Sequence, residues 1–472
     1  MPPPKTLHFG MQEILDQCPR FRVLVVGRSG VGKSSLINHA FGVAMKSVSH
    51  QERGQCDINV EITSTQNPLF VLHDSMGFEP GQIENFVTAK NFLESRSGKD
   101  VALKDRVHAI WLCIQVPVAG KRVFETGDEE FLKLASATQV PIVVVFTQFD
   151  KLVNRMEQEL TDEEEQMLEE QITELCLQRA VAEFDRACVG PLKRINPKLT
   201  GLAGNQYSNP DRDALADLVQ TTRNLVERHV EGEVWIVSAM AQRASARVKL
   251  NASIEVGMKG YWTGLASNTK FLNKTLEQCL HTVHEDITES WNFYDPKDLL
   301  NGSKFLKKIK ILAQLVTPDL AEAKSWFENL DDIQGLAGMA TTIIAASAVG
   351  PAVAAIGLSL WFIKWVANAY NKTPETLRCF MGYIIDLTLV MEQLFLVVLS
   401  IRPSRALTED DIDVALENYK NSEIALVHRE IRKYANKATW AEILQSNKAE
   451  EKVKELIGRY SVDYEREKSS TP

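Results

Sequence analysis

Residues 27–34 read Gly-Arg-Ser-Gly-Val-Gly-Lys-Ser and directly follow the apolar run Phe21-Arg22-Val23-Leu24-Val25-Val26. The spacing G-x-x-x-x-G-K-[ST] demands a buried strand, a glycine-rich turn and a helix opening near Lys33. Glycines let backbone N–H groups curl inward without Cβ clashes, so the turn becomes a cradle for phosphate oxygens. The helix N-terminus behind it adds partial positive charge. The cradle would be lined by Gly27, Arg28, Ser29, Gly30, Val31, Gly32 and Ser35. Lys33 would reach the β- and γ-phosphates as the catalytic cation, and Ser34 would ligate Mg²⁺. Side chains in such a loop point outward while the backbone binds, so Arg28 is expected in solvent.

The N-terminal half repeats the strand-then-helix pattern. Strand-like runs occur at 68–72, 109–116, 140–146 and 234–237, with helical stretches at 34–41 and 128–138. Alternation of this kind predicts an α/β fold, a mostly parallel sheet with helices on both faces. Three run ends carry polar signatures. Asp74-Ser75-Met76-Gly77 is a D-x-x-G, in which Asp74 can reach Mg²⁺ through water and the Gly77 N–H can donate to a γ-phosphate. Thr147-Gln148-Phe149-Asp150 closes the run at 140–146. A carboxylate at Asp150 can accept two hydrogen bonds from guanine N1–H and N2–H₂, a donor pair that adenine lacks. Ser238-Ala239 closes the run at 234–237, where backbone could meet the guanine O6.

Four motifs in this order resemble the P-loop GTPases over roughly residues 21–245. The T-Q-F-D, with Thr in place of Asn, resembles the branch holding septins and the immunity-associated GTPases. The stretches CDINVEITS, VWIVSAMAQR and MGYIIDLTLV resemble uncharacterised fungal G-domain proteins. The resemblance implies GTP/GDP and Mg²⁺ as ligands and GTP hydrolysis to GDP and phosphate. Three departures bear on rate. Gln148 stands where a lysine usually packs on the base. Phe78 follows Gly77 where Ras-type enzymes place a water-orienting glutamine. No threonine lies in 49–57, so the switch magnesium ligand is unassigned; Thr63 and Thr65 lie in a strand-like stretch nearby. A slow GTPase acting as a switch is expected. The alternative is a non-hydrolysing structural protein that keeps GTP for assembly. A nucleotide-dependent dimer could supply what Phe78 lacks.

The expected organisation is a lead at 1–20, a G domain at 21–245 with a helical insertion at about 152–232, a helical domain at 246–401 and a charged helical tail at 402–472. Leu272, Leu276, Leu280, Val283, Ile287 and Trp291 form one helical stripe, read as core. His281, His284 and Glu285 share that helix and are read as its polar flank rather than as metal ligands. Residues 336–363 carry no charge over 28 positions, longer than the roughly 20 residues that span a bilayer. Gly350-Pro351 in the middle favours an apolar hairpin, in a soluble bundle or in a membrane. The stretch 380–401 carries Asp386 and Glu392 and reads as a buried or amphipathic helix. A helix start is expected at Leu407-Thr408-Glu409. The helical half is thus expected to engage a membrane or a protein partner.

Composition narrows the rest. Lys and Arg total 53 against 62 Asp and Glu, a formal net charge of −9. Without a basic stripe, such a chain is a poor nucleic-acid binder. Seven scattered cysteines without a CxxC pair argue for reduced thiols in a cytoplasmic chain.

Overall fold

The G-rich turn follows β1 (Phe21–Val26), whose six residues are all buried. A computed structural model describes residues 10–28, 30–42, 57–75, 83–117, 122–138, 140–196, 201–202, 213–257, 274–316, 374–401, 405–437 and 448–462. The chain divides into two units, one over 14–248 and one over 249–472 together with the residues up to 13.

In the first unit β1 sits inside a six-stranded sheet of order β2-β3-β1-β4-β5-β6. The strands are β2 (Ile62–Ser64), β3 (Asn67–Asp74), β4 (Ala109–Gln115), β5 (Ile142–Thr147) and β6 (Gly201–Leu202). β2 runs antiparallel to β3, and every other pairing is parallel. The central strands are apolar on both faces because both faces are covered. Leu24, Val26, Ile110, Leu112, Val144 and Phe146 face one way, onto α3 (Ile83–Ser95), α4 (Thr126–Thr138), α5 (Asp150–Gln158) and α6 (Glu169–Phe184). Phe21 and Trp111 face the other way and meet Phe41 of α2 (Lys33–Phe41), whose ring stacks on Phe70 at 3.8 Å. The Trp111 indole N–H donates to Thr222 Oγ1 at 3.0 Å, pinning α8 (Asp213–His229) to the same face. The α/β expectation therefore holds, with helices on both faces. α1 (Gly10–Gln17) precedes β1, within the expected lead.

One expectation fails. The run at 234–237 is not a strand; it opens α9 (Val234–Ala241). All but Trp235 of its eight residues are buried. Apolar on every side, the segment shows no period that separates helix from strand. The last strand is instead the two-residue β6, paired through Val144↔Gly201 and Val145↔Leu202. The helices within the stretch 152–232 pack onto the sheet. Cys176, Ala180, Phe184, Cys188 and Leu192, from α6, a π turn at Asp185–Val189 and α7 (Gly190–Ile195), belong to the sheet's own core.

The second unit is helical, which completes the expected class. Its helices are α10 (Ala246–Gly257, beginning in the first unit), α11 (Leu276–Trp291), α12 (Ser303–Gln314), α13 (Pro374–Leu399), α14 (Glu409–Lys420), α15 (Ile424–Lys437) and α16 (Lys448–Tyr460). α13 is the axis: α11, α12, α14, α15 and α16 all pack on it. It is long and apolar enough to cross a bilayer, yet 72% of its most apolar stretch is buried within the protein. Its carboxylates are held: Asp386 accepts from the Tyr419 hydroxyl at 2.6 Å and lies 2.9 Å from His428 Nε2, and Glu392 accepts from the Val462 N–H at 3.1 Å. The reading of 380–401 as a buried helix is correct. So is the stripe on α11, whose Leu276, Leu280, Val283, Ile287 and Trp291 are all buried. His284 corrects its polar-flank reading. It is fully buried, between the Tyr383 hydroxyl at 2.9 Å and the Leu300 carbonyl at 2.7 Å. Thr408 caps α14 as expected, and α14–α16, within the charged helical stretch 402–472, pack on α13. Leu272 and the apolar run 336–363 lie outside the described residues.

Candidate phosphate-binding site

In a parallel sheet the carboxyl ends of the strands collect the loops, and ligands bind there. Register brings β3 beside β1 at Val25↔Asp74, and β5 beside β4 at Gln115↔Thr147. The sheet runs one residue further on each side, with Ser75 N–H donating to the Val25 carbonyl and Val116 N–H to the Thr147 carbonyl, both at 3.0 Å. Asp74, the phosphate loop and Thr147-Gln148 therefore share one edge.

The loop's shape rests on its glycines. Gly27 presses against β4: a Cβ there would lie 2.6 Å from the Cys113 carbonyl oxygen, which is backbone and cannot step aside. Gly32 caps α2 at φ +98° with no side-chain bond to the first-turn N–H groups, which stay free for an anion. Lys33 Nζ donates to the carbonyls of Gly27 at 2.5 Å and Arg28 at 3.1 Å, so the ammonium lies along the loop. Ser34 and Ser35 are exposed beside it, and Val31 is buried beneath. The Cys113 thiol under the loop is pushed up to about 12 by burial, which leaves it unreactive.

Gln148 carries a contact that its sequence reading did not anticipate. Its backbone takes φ +61°, and its side-chain Nε2 donates to the Gly30 carbonyl at 2.9 Å. The turn after β5 is thereby tied to the crown of the phosphate loop. Phe149 anchors the same turn by packing edge-on to Phe184 at 5.8 Å. Thr147 Oγ1 donates to the Ile114 carbonyl at 3.4 Å, and Asp150 is exposed as the first residue of α5. Asp74 ends β3 half-buried.

Arg28 points away from the cradle, as expected, but not into open solvent. Its guanidinium lies 3.3 Å from Glu125 and 3.8 Å from Asp128, at the start of α4. Ser238 and Ala239 do not join the site. They are buried inside α9, which packs on β1 and β3. The C-terminus of α9 is clamped to the far end of α2. Asn67 Nδ2 donates to the carbonyls of Phe41 and Ala241, both at 2.7 Å, and Arg243 N–H donates to the Ala40 carbonyl at 2.6 Å. The phosphate loop is at α2's other end. Nothing in the local sequence around Asn67 signals this brace. Ser29, Gly77, Phe78 and residues 49–56 lie outside the described residues. Thr63 is in β2, and Thr65 is in the turn after it.

These residues fit a triphosphate and a hard cation. The glycine cradle and the uncapped α2 N-terminus offer N–H donors, and Lys33 offers charge. Ser34 and Asp74 supply the oxygen ligands that magnesium takes.

Comparison with known proteins matches a part of each unit separately. Residues 22–148 match the family model described as 50S ribosome-binding GTPase. Residues 299–469 match one described as Domain of unknown function (DUF8505). The chain is 28% identical over 146 residues to GTPase Der of Ureaplasma urealyticum serovar 10, covering 31% of each protein. It thus spans about a third of that relative's length.

Proposed function

We propose, from a chain made of an N-terminal P-loop GTPase G domain and a helical region behind it, a guanine-nucleotide-binding protein that hydrolyses GTP slowly and acts as a switch. The observation that carries this is the braced phosphate loop. Gly27 is fixed against β4, and Gln148 ties the loop's crown to the turn bearing Asp150. This tie would hold the phosphate cradle and the base reader to one edge of the sheet.

Loop N–H groups and the α2 N-terminus would hold the phosphates, with Lys33 turning from the loop carbonyls to them. Ser34 and Asp74 would hold Mg²⁺, Asp74 through water. Bound there, the ion neutralises charge on the β- and γ-phosphates. Asp150 would select guanine by charge-assisted bonds. With Ser238-Ala239 in α9, no contact to the guanine O6 is assigned. Phe78 has no polar group to orient water, so turnover falls well below the enzyme median of about 10 s⁻¹. The same residue supports the second reading, a non-hydrolysing structural protein. The helical region would engage a protein partner or membrane in a cytoplasmic setting, and a nucleotide-dependent dimer would supply the missing catalytic help.

Single-turnover GTP hydrolysis with and without liposomes separates the two readings: slow turnover supports the switch, and none under either condition supports the structural protein. Lys33→Ala should abolish triphosphate binding in a fluorescent-nucleotide titration; unchanged affinity would remove this site from consideration. Asp150→Asn should weaken GTP and favour xanthosine triphosphate. ATP binding as tight as GTP in the wild type would overturn the guanine assignment.

A further inference from the structure

β3 outruns one of its neighbours. Its pairing with β2 ends at Ile62↔Leu72, while β1 stays beside it through Leu24↔His73 and Val25↔Asp74. Among the described strands, the last two residues of β3 are thus paired on the β1 side only. Side chains take over where β2 stops. His73 is fully buried, with its ring 4.8 Å from that of Phe92 on α3. Its Nε2 lies 2.9 Å from an Arg22 guanidinium nitrogen, and its Nδ1 lies 2.8 Å from the Ile58 carbonyl oxygen.

A guanidinium can only donate. Nε2 therefore accepts from Arg22, and Nδ1 carries the proton and donates to Ile58, a tautomer assigned from these partners. The imidazole is a relay with one bond in and one bond out, and both ends are anchored. Arg22, buried on β1, also donates to Glu61 Oε1 at 2.6 Å and to the Lys104 carbonyl at 3.2 Å. Ile58 is buried in a turn closed by the Val60 N–H on the Asp57 carbonyl at 3.0 Å. An apolar ring would fill the same space but could make neither bond. The residue that follows this relay in the chain is Asp74.

We propose that Arg22 and His73 are positioning residues for Asp74: the relay sets the end of β3 so that the Asp74 carboxylate meets the magnesium of a bound nucleotide. His73 acts through its neighbour in the chain and needs no contact with nucleotide or ion. Groups behind a metal ligand fix its orientation, and their loss costs about 10–100-fold in metal affinity. This rests on the reading of Asp74 as a magnesium ligand and adds what holds it in place.

Titration of the full chain with a fluorescent GTP analogue, once in Mg²⁺ and once in EDTA, tests it. The readout is the ratio of the two affinities. His73→Phe keeps a ring against Phe92 and removes both bonds. It should cut the ratio about tenfold and leave the affinity in EDTA unchanged. His73→Gln, whose amide carries both a donor and an acceptor, should restore part of the ratio. Arg22→Met should repeat the selective loss, and it gives a second reading should His73→Phe misfold. Asp74→Ala is the reference for complete loss. An equal fall in Mg²⁺ and in EDTA would make the relay merely structural and overturn the proposal. So would a wild-type ratio in His73→Phe and Arg22→Met when Asp74→Ala has lost it. A wild type without Mg²⁺ dependence, or a dependence that survives Asp74→Ala, would overturn the reading of Asp74 itself, and the role of the relay with it.

Discussion

Of the described glycines, Gly27 has the least room. Its Cβ position falls 2.6 Å from a β4 carbonyl, so Gly27→Ala must push the loop off the sheet. Overpacking of this kind costs about 1–3 kcal/mol, and the displaced loop should lose nucleotide. Thermal unfolding and nucleotide titration read the two effects. Gln148→Ala removes a bond to the Gly30 carbonyl, so the fold should lose up to about 1 kcal/mol in unfolding and the loosened loop should bind nucleotide less tightly. Unaltered affinity would show that the tie is incidental. The positions of Gly27, Gly32 and Lys33 were legible in the sequence because their spacing itself encodes the turn. The partners of Arg28 and Gln148 were not. They are set by chain segments about a hundred residues away, and no local pattern records which carbonyl or carboxylate will arrive.

Elements were legible in proportion to their periodicity. The stripe on α11 and the cap of α14 announced themselves through spacing and a Thr-x-x-Asp pattern. α9 did not, because a helix buried all round and a buried strand present the same apolar run. β6, two residues long, has no run at all. Misplacing that strand also displaced Ser238 and Ala239 from the site. Asn67 is where this part of the fold can be tested. It bridges the last turns of α2 and α9, and Asn67→Ala leaves two buried carbonyls without this donor. A loss of about 2–4 kcal/mol is expected in denaturant unfolding. A change below about 0.5 kcal/mol would mean that water replaces the amide.

Across the whole molecule, three buried histidines set the acid limit. Burial pushes His73, His108 and His284 down to about 4, so the folded chain keeps them neutral. The unfolded chain protonates them near pH 6.5. Stability is therefore full above about pH 6.5, falls as pH drops towards about 4, and then levels off for these groups. The slope is on the order of 1 kcal/mol per pH unit per histidine. His73 and His108 lie in the first unit and His284 in the second, so both should soften together. Urea unfolding between pH 7 and pH 4.5 would show it, and a flat profile would contradict it. The chain order of the helical unit carries a different consequence. Among the described helices that pack on α13, α11 and α12 precede it, and α14, α15 and α16 follow it. During synthesis α13 thus leaves the ribosome before those three later helices exist. Its apolar flank stays open to chaperones or to other chains until α16 emerges. A message broken after residue 399 would release a nascent product whose G domain can fold but whose exposed axis marks it for clearance.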